Sequence, residues 1–226
     1  MNVTDDVEWV ERVDSPAGEL ALRRRGGVFE IISNGVFLMD TGDGRSERRL
    51  ADLAVASSSS ARSKETRAVR RVLVAGIGVG FTLAQVLAYP DVENVTVIEI
   101  EEAIVKWNRG PLATINGRAL DDPRVRVVVA DLRSWLLTPG DRFDAICMDV
   151  DNGPDWTVTE SNSWLYTPEA LALLSSRLTD GGRLTIWSAS AAVEFERLLG
   201  KCFSIVRCES IDARRGPPDV VFFAQL

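Results

Sequence analysis

The chain contains no histidine among its 226 residues. That excludes Ser–His–Asp and Cys–His nucleophile pairs and removes the commonest zinc ligand. Acid–base work must then fall to carboxylates, Lys, Tyr or ordered water. Cysteine is scarce too: Cys147, Cys202 and Cys208 are odd in number and lack metal-ligand spacing. They read as reduced thiols in a cytoplasmic protein, with no metal expected. No apolar run approaches the ~20 residues of a membrane span, and MNVTDDVEWVERVD is too acidic for a secretory signal. Basic charge is in deficit, with 26 Lys+Arg against 33 Asp+Glu and a net charge of −7. That balance argues against a nucleic-acid partner and suits a small cationic substrate.

What is present fits one α/β domain with a small appendage. Hydrophobic content of 46 % is ordinary for a globular chain of this length. Residues 1–45 read as an N-terminal β appendage. Gly18 to Arg24 alternates weakly, Gly26–Gly27 can turn, and Val28 to Ser33 and Val36 to Met39 flank Asn34–Gly35, the dipeptide favoured in a type I′ hairpin. Residues 46–70 read as a helix followed by a polar linker. Leu50, Leu53 and Ala54 share one helical stripe, and SSSSARSKETRA is a low-complexity connector expected to be solvated rather than a phosphate patch.

From residue 71 to 226 strands and helices alternate, which predicts a doubly wound, Rossmann-like sheet with helices on both faces. Seven strands are expected at 72–76, 94–100, 124–130, 143–149, 183–188, 203–208 and 219–225, the last two closing as a hairpin around residues 214–219. Helices are expected near 80–89, 101–109, 132–138, 168–178 and 190–199, with Thr167–Pro168 as a start signal.

Chemistry concentrates at the ends of the strands, where ligands bind in such sheets. The stretch from Arg71 to Glu101 gives an apolar strand, a glycine loop at Gly76, Gly78 and Gly80, a helix, and a second strand ending in Glu99. That order suits a nucleoside: glycines permit close backbone approach, and a carboxylate at the next strand tip accepts from both ribose hydroxyls. The third strand ends in Asp131, which can accept from the adenine amine, cap the helix LRSWLL, or do both. The fourth delivers Asp149 and Asp151. The segment DVDNGPDWTVTESNSWLY, 149–166, sets these acids beside Trp156, Trp164 and Tyr166. Acids beside aromatic walls suit an alkylammonium group, and a carboxylate there can take the proton of an attacking amine. A plain loop with surface-packed aromatics is the bland alternative.

VLVAGIGVGFTLAQVL, VTVIEIEEAIV, DDPRVRVVVAD and FDAICMDVDNGP resemble, in order and spacing, the core of the spermidine synthase family, whose core is a methyltransferase-type sheet. The resemblance covers about residues 28–180 and is strongest from 71 to 154. It implies decarboxylated S-adenosylmethionine as the nucleoside–sulfonium cofactor, and transfer of its aminopropyl group to a polyamine nitrogen. By the same resemblance Glu99 holds the ribose, Asp131 the adenine, and Asp149 receives the proton of the attacking amine. Asp151 stands for the second acid of a loop shortened here to Asp-Val-Asp-Asn-Gly-Pro.

Two departures qualify that expectation. Val79 stands where the family's glycine loop carries an acid for the aminopropyl amine. The family's Tyr-His-Glu stretch is replaced by SERRLADLA (46–54), with arginines where a polyamine calls for acids. The expected activity is therefore alkyl transfer, aminopropyl or methyl, from decarboxylated or ordinary S-adenosylmethionine to a small-molecule amine, and not classical putrescine-specific synthesis. Cyclisation or elimination of the three-carbon arm and a non-catalytic nucleoside sensor are the alternatives. A dehydrogenase is the weaker rival, and a homodimer is the assembly kept in view.

Overall fold

In a computed structural model the chain is described over residues 6–15, 17–56, 68–214 and 216–226. The polar connector around 57–67 lies outside the described residues. Two sheets organise the chain. The first is an antiparallel meander of β1 (Val7–Ser15), β2 (Gly18–Arg25), β3 (Val28–Ser33) and β4 (Val36–Asp40). Asn34 and Gly35 both have positive φ (50° and 79°), as a type I′ turn requires.

The hairpin expected for residues 1–45 is thus a four-stranded sheet. Strand β1 escaped the sequence reading because its outer residues Val7, Trp9 and Val10 are exposed and a bulge between Trp9 and Glu11 breaks the alternation. Beyond its ladder with β2, Glu11 ties it to residues far along the chain. Glu11 accepts from Trp107 Nε1 (2.7 Å) and Lys106 Nζ (2.6 Å), cations and donors that hold its carboxyl below its usual range.

The second sheet has seven strands: β5 (Arg71–Ala75), β6 (Asn94–Glu99), β7 (Val125–Val129), β8 (Phe143–Met148), β9 (Leu178–Ser188), β10 (Ile205–Ile211) and β11 (Asp219–Gln225). Their spatial order is β10-β11-β9-β8-β5-β6-β7; β5 to β9 pair in parallel and β11 runs antiparallel to both neighbours. This is the expected methyltransferase-type α/β sheet. The strand expected at 203–208 begins and ends later, and the one expected from 183 starts at Leu178, because Gly181–Gly182 continues the strand instead of interrupting it.

The two faces of β5 show why the sheet must be covered on both sides. Val72 and Val74 enter one apolar cluster with Leu50, Leu83, Ile104 and Trp107; Leu73 and Ala75 enter the other with Ile146, Leu171, Phe195 and Phe222. Each fully buried side chain of this size contributes about 1.5–3 kcal/mol. The first face carries α1 (Arg45–Val55), α2 (Phe81–Leu87) and α3 (Glu102–Arg109); the second carries α4 (Leu132–Leu137), α5 (Pro168–Ser176) and α6 (Val193–Cys202). Helix α1, expected from the sequence ahead of the polar linker, is part of this layer: Leu50, Ala51 and Ala54 are fully buried in the first cluster.

Candidate active site

The glycine loop leaves β5 and turns into α2 with φ of 79° at Gly76, 50° at Gly78 and 93° at Gly80. These angles, favoured by glycine, are only half of the requirement. A Cβ on Gly76 would lie 2.0 Å from the Asp149 carbonyl oxygen, and one on Gly80 would strike Asn108 and Asn116. A Cβ on Gly78 would meet Met39 Sδ of β4 at 2.4 Å. Each glycine therefore closes the loop against protein: the β8 tip, the N-terminal sheet, and the α3 end. The buried amide of Asn108 completes the cradle, donating to the carbonyls of Gly78 (2.8 Å) and Ile104 (2.9 Å) while accepting from Asn116. The sequence reading missed both asparagines. Their signal was weak, a polar residue on the buried stripe of a short helix.

Glu99 ends β6 beneath this loop. Its Oε2 accepts from Ile77 N (2.9 Å) and its Oε1 from Glu101 N (3.0 Å), so it anchors the glycine loop. Burial pushes its pKa up, against the lowering effect of those amides. Glu101 is spent otherwise, accepting from Ser15 Oγ at 3.0 Å. Asp131 is exposed after β7 and caps α4, accepting from Ser134 N (2.8 Å) and Ser134 Oγ (2.7 Å). Val79 is fully buried in the first apolar cluster, so the loop position that holds an acid in the resembling family is here part of the core.

A second group of acids meets beside the loop. Asp149 follows β8 and accepts from Thr82 Oγ1 at 2.9 Å. Its pKa is pushed up to about 7, first by burial and then by the charges of Glu47, Asp219 and Glu99. Glu47, in the first turn of α1, is raised as well by burial and by Asp219 and Asp43; Asp219, at the start of β11, is raised by burial and by Asp43. The Ser46 hydroxyl lies between Glu47 and Asp219. Among the described residues no arginine or lysine is hydrogen-bonded to Asp149 or Glu47.

The arginines that the sequence set against a cationic substrate are engaged elsewhere. Arg48 lies over the Phe81 ring, 4.3 Å from its centroid, and Arg49 pairs with Glu209 at 2.6 Å. Of the two acids in SERRLADLA, Glu47 joins this group, while Asp52 accepts from Gln85 and Tyr89. Glu47 was hidden because one turn of helix separates neighbours in sequence onto different faces.

The loop after β8 treats its two acids differently. Asp151 accepts from Asn152 N (2.7 Å), Val158 N (2.6 Å), Thr159 N (3.3 Å) and Asn162 Nδ2 (2.7 Å). Four donors on one carboxylate make it the organiser of the loop and leave little capacity for a substrate. Of the three aromatics, only Tyr166 joins the acids. It is buried edge-on against Phe195 (5.4 Å), and burial together with the Asp151 and Asp149 charges raises its pKa. Trp164 faces Arg133 of α4, 4.7 Å away, and Trp156 is 59 % exposed.

A cavity of about 210 Å³ lies at the opposite, strand-start edge, lined by Thr96, Trp135, Gly140 and Arg177 among others. Asp149, Glu47 and Asp219 do not line it. Among the described residues no group of three His, Cys, Asp or Glu side chains is arranged to hold a metal ion, and no helix is long and apolar enough to cross a membrane.

The arrangement can cradle a nucleoside at one end and neutralise a cation at the other. Residues 50–199 match the sequence pattern described as the spermine/spermidine synthase domain. Curated relatives include polyamine aminopropyltransferase 2 of Ralstonia nicotianae, 30 % identical over 185 residues, covering 81 % of this chain and 34 % of that protein. The polyamine aminopropyltransferase of Mycobacterium tuberculosis strain H37Rv is 32 % identical over 177 residues, covering 76 % and 31 %. The chain thus spans about a third of the length of these relatives. Similar solved structures are the spermidine synthase of Thermotoga maritima (TM-score 0.76, 17 % identity, 96 % of this chain and 72 % of that one) and a spermidine synthase in complex with the transition-state analogue AdoDATO (TM-score 0.79, 18 % identity, 96 % and 73 %).

Proposed function

The chain belongs to the spermine/spermidine synthase domain family, and on that premise we propose that it is an aminopropyltransferase. Its donor is decarboxylated S-adenosylmethionine and its acceptor a small amine. The observation that carries the reading is the gathering of Asp149, Glu47 and Asp219 beside the nucleoside cradle, with no cation bonded to Asp149 or Glu47 among the described residues. Like charges gathered in a half-buried place raise one another's pKa and are relieved by a bound cation.

In this reading the glycine loop and Glu99 take the ribose, and Asp131 takes the adenine amine with its free oxygen. Asp149 receives a proton from the acceptor ammonium, and Glu47 and Asp219 neutralise the rest of its charge. Asp151 holds the loop that carries Tyr166 to the acceptor, with Trp156 and Trp164 at its outer margin. The bound sulfonium supplies a carbon whose leaving group is a neutral thioether. Alignment of amine and carbon contributes up to about 7–11 kcal/mol in the best-oriented cases.

A second reading rests on Val79. With an apolar residue at that loop position the cradle lacks one contact for the donor's amine, and methyl transfer from ordinary S-adenosylmethionine is the chemistry that would not need it. Incubation with each donor and a panel of amines that includes putrescine separates the two. Methylthioadenosine with an aminopropylated amine supports the proposal; S-adenosylhomocysteine with a methylated amine replaces it; a cyclised or eliminated three-carbon arm, or tight binding without turnover, contradicts both.

A further inference from the structure

Thr82 is the second residue of α2, set directly behind the glycine loop, and it is 1 % exposed. A buried hydroxyl needs a partner. Within helices Ser and Thr usually return to the carbonyl of the preceding turn. Thr82 instead reaches across to two other elements: Asp149 Oδ2 after β8 at 2.9 Å, and the Glu47 carbonyl oxygen in α1 at 3.5 Å. One hydroxyl hydrogen can serve only one of them at a time.

We propose that Thr82 is a positioning residue for Asp149, its hydroxyl fixing Oδ2 while the carboxylate is charged and turning to the Glu47 carbonyl once that carboxylate has taken a proton. The inference rests on the aminopropyl-transfer reading. While Asp149 is ionised, the shorter contact to a charged oxygen is the stronger. When the acceptor ammonium gives its proton to Asp149, the nitrogen lone pair forms the new N–C bond, the C–S bond breaks, and its electron pair remains on sulfur. Asp149 is then neutral and can donate to Thr82 Oγ1, whose own hydrogen is free to point at α1.

The groups that bear on Asp149 are Glu47 of α1, Asp219 of β11, Glu99 of β6, Tyr166 of the 160–166 turn and Cys147 of its own strand, and the first three carboxylates all raise its pKa. Thr82 is the group that opposes them. Its hydrogen bond therefore favours the ionised Asp149 that can accept a proton.

The test is Thr82→Val with Thr82→Ser as the rescue, read by the carboxyl-carbon NMR titration of Asp149, assigned with Asp149→Asn, and by the acid limb of the kcat/KM profile. Thr82→Val should move both toward higher pH by about one pH unit, a tenfold loss of carboxylate at a given pH, with donor affinity retained, and Thr82→Ser should restore both. An unmoved Asp149 titration in Thr82→Val, or a shift that Thr82→Ser does not restore, overturns the proposal. If the titration moves as expected in a protein that turns over no donor, the aminopropyl-transfer reading fails while the Thr82–Asp149 contact stands.

Discussion

The two edges of the seven-stranded sheet handle charge in opposite ways. At the strand-start edge three arginines each finish a helix. Arg183 donates to the carbonyls of Ala54 (3.2 Å) and Ala56 (2.7 Å) after α1, Arg124 to Leu87 (2.8 Å) and Val92 (3.1 Å) after α2, and Arg177 to Leu136 (3.3 Å) and Thr138 after α4. Cations there meet the negative end of the helix dipole and the carbonyls that have no partner within the helix. Asp144 at the same edge accepts the amides of Arg70 and Arg71, both at 3.0 Å. At the strand-tip edge the carboxylates of Asp149, Glu47 and Asp219 crowd one another, and burial raises all three. One edge is satisfied by the chain itself; at the other, the proposed function has a bound cation relieve the crowding.

The largest effect that would break this contrast is on turnover. Asp149→Asn should lower kcat by roughly 10²–10⁴-fold, the range for loss of a general base, while the nucleoside still binds; near-normal turnover with Asp151→Asn inactive would reverse the roles given to the two acids. Next is the cradle. Glu99→Ala should weaken methylthioadenosine binding, measured by calorimetry, by roughly 1.5–3 kcal/mol, as expected for hydrogen bonds to a charged group.

At the satisfied edge, Arg183→Met should cost about 1–3 kcal/mol of stability in urea unfolding, the cost of unpaired buried carbonyls, and leave KM unchanged. Smallest is an effect of opposite sign. The folded pKa of Asp149, pushed up to about 7, lies above the ordinary carboxylate value of 3.8. Stability carried by the neutral carboxyl is present at acid pH and lost as pH rises through about 7. Asp149→Asn should therefore stabilise the ligand-free chain by ~1–2 kcal/mol at pH 8 and hardly at all at pH 4; equal effects at both pH values would remove the electrostatic account.

The legible parts of the sequence were those written in local pattern. The alternation of apolar strands and helices located the sheet, and the glycine triplet followed by Glu99 marked a loop that Glu99 anchors through Ile77 N. The unread parts depended on contacts across the chain. Strand β1 buries little and is fixed by Glu11 reaching α3 almost a hundred residues away. Glu47 was masked by its arginine neighbours, because sequence adjacency says nothing about which face of α1 each side chain takes. Thr82 and Asn108 look ordinary until their partners, Asp149 and the Gly78 carbonyl, are in place. Asp149 and Asp151 have identical side chains with one residue between them, and only the count of donors on each distinguishes the proposed proton acceptor from the loop anchor.

The claim that the strand-tip carboxylates await a cation is tested most directly by the protons exchanged when an amine binds. Calorimetry of a diamine into the protein saturated with methylthioadenosine, at pH 7 in buffers of different ionisation enthalpy, reads that number. A bound ammonium should lower the Asp149 pKa and release protons, and Asp149→Asn should abolish the release. Binding with no proton release, or the same release in Asp149→Asn, would contradict the account.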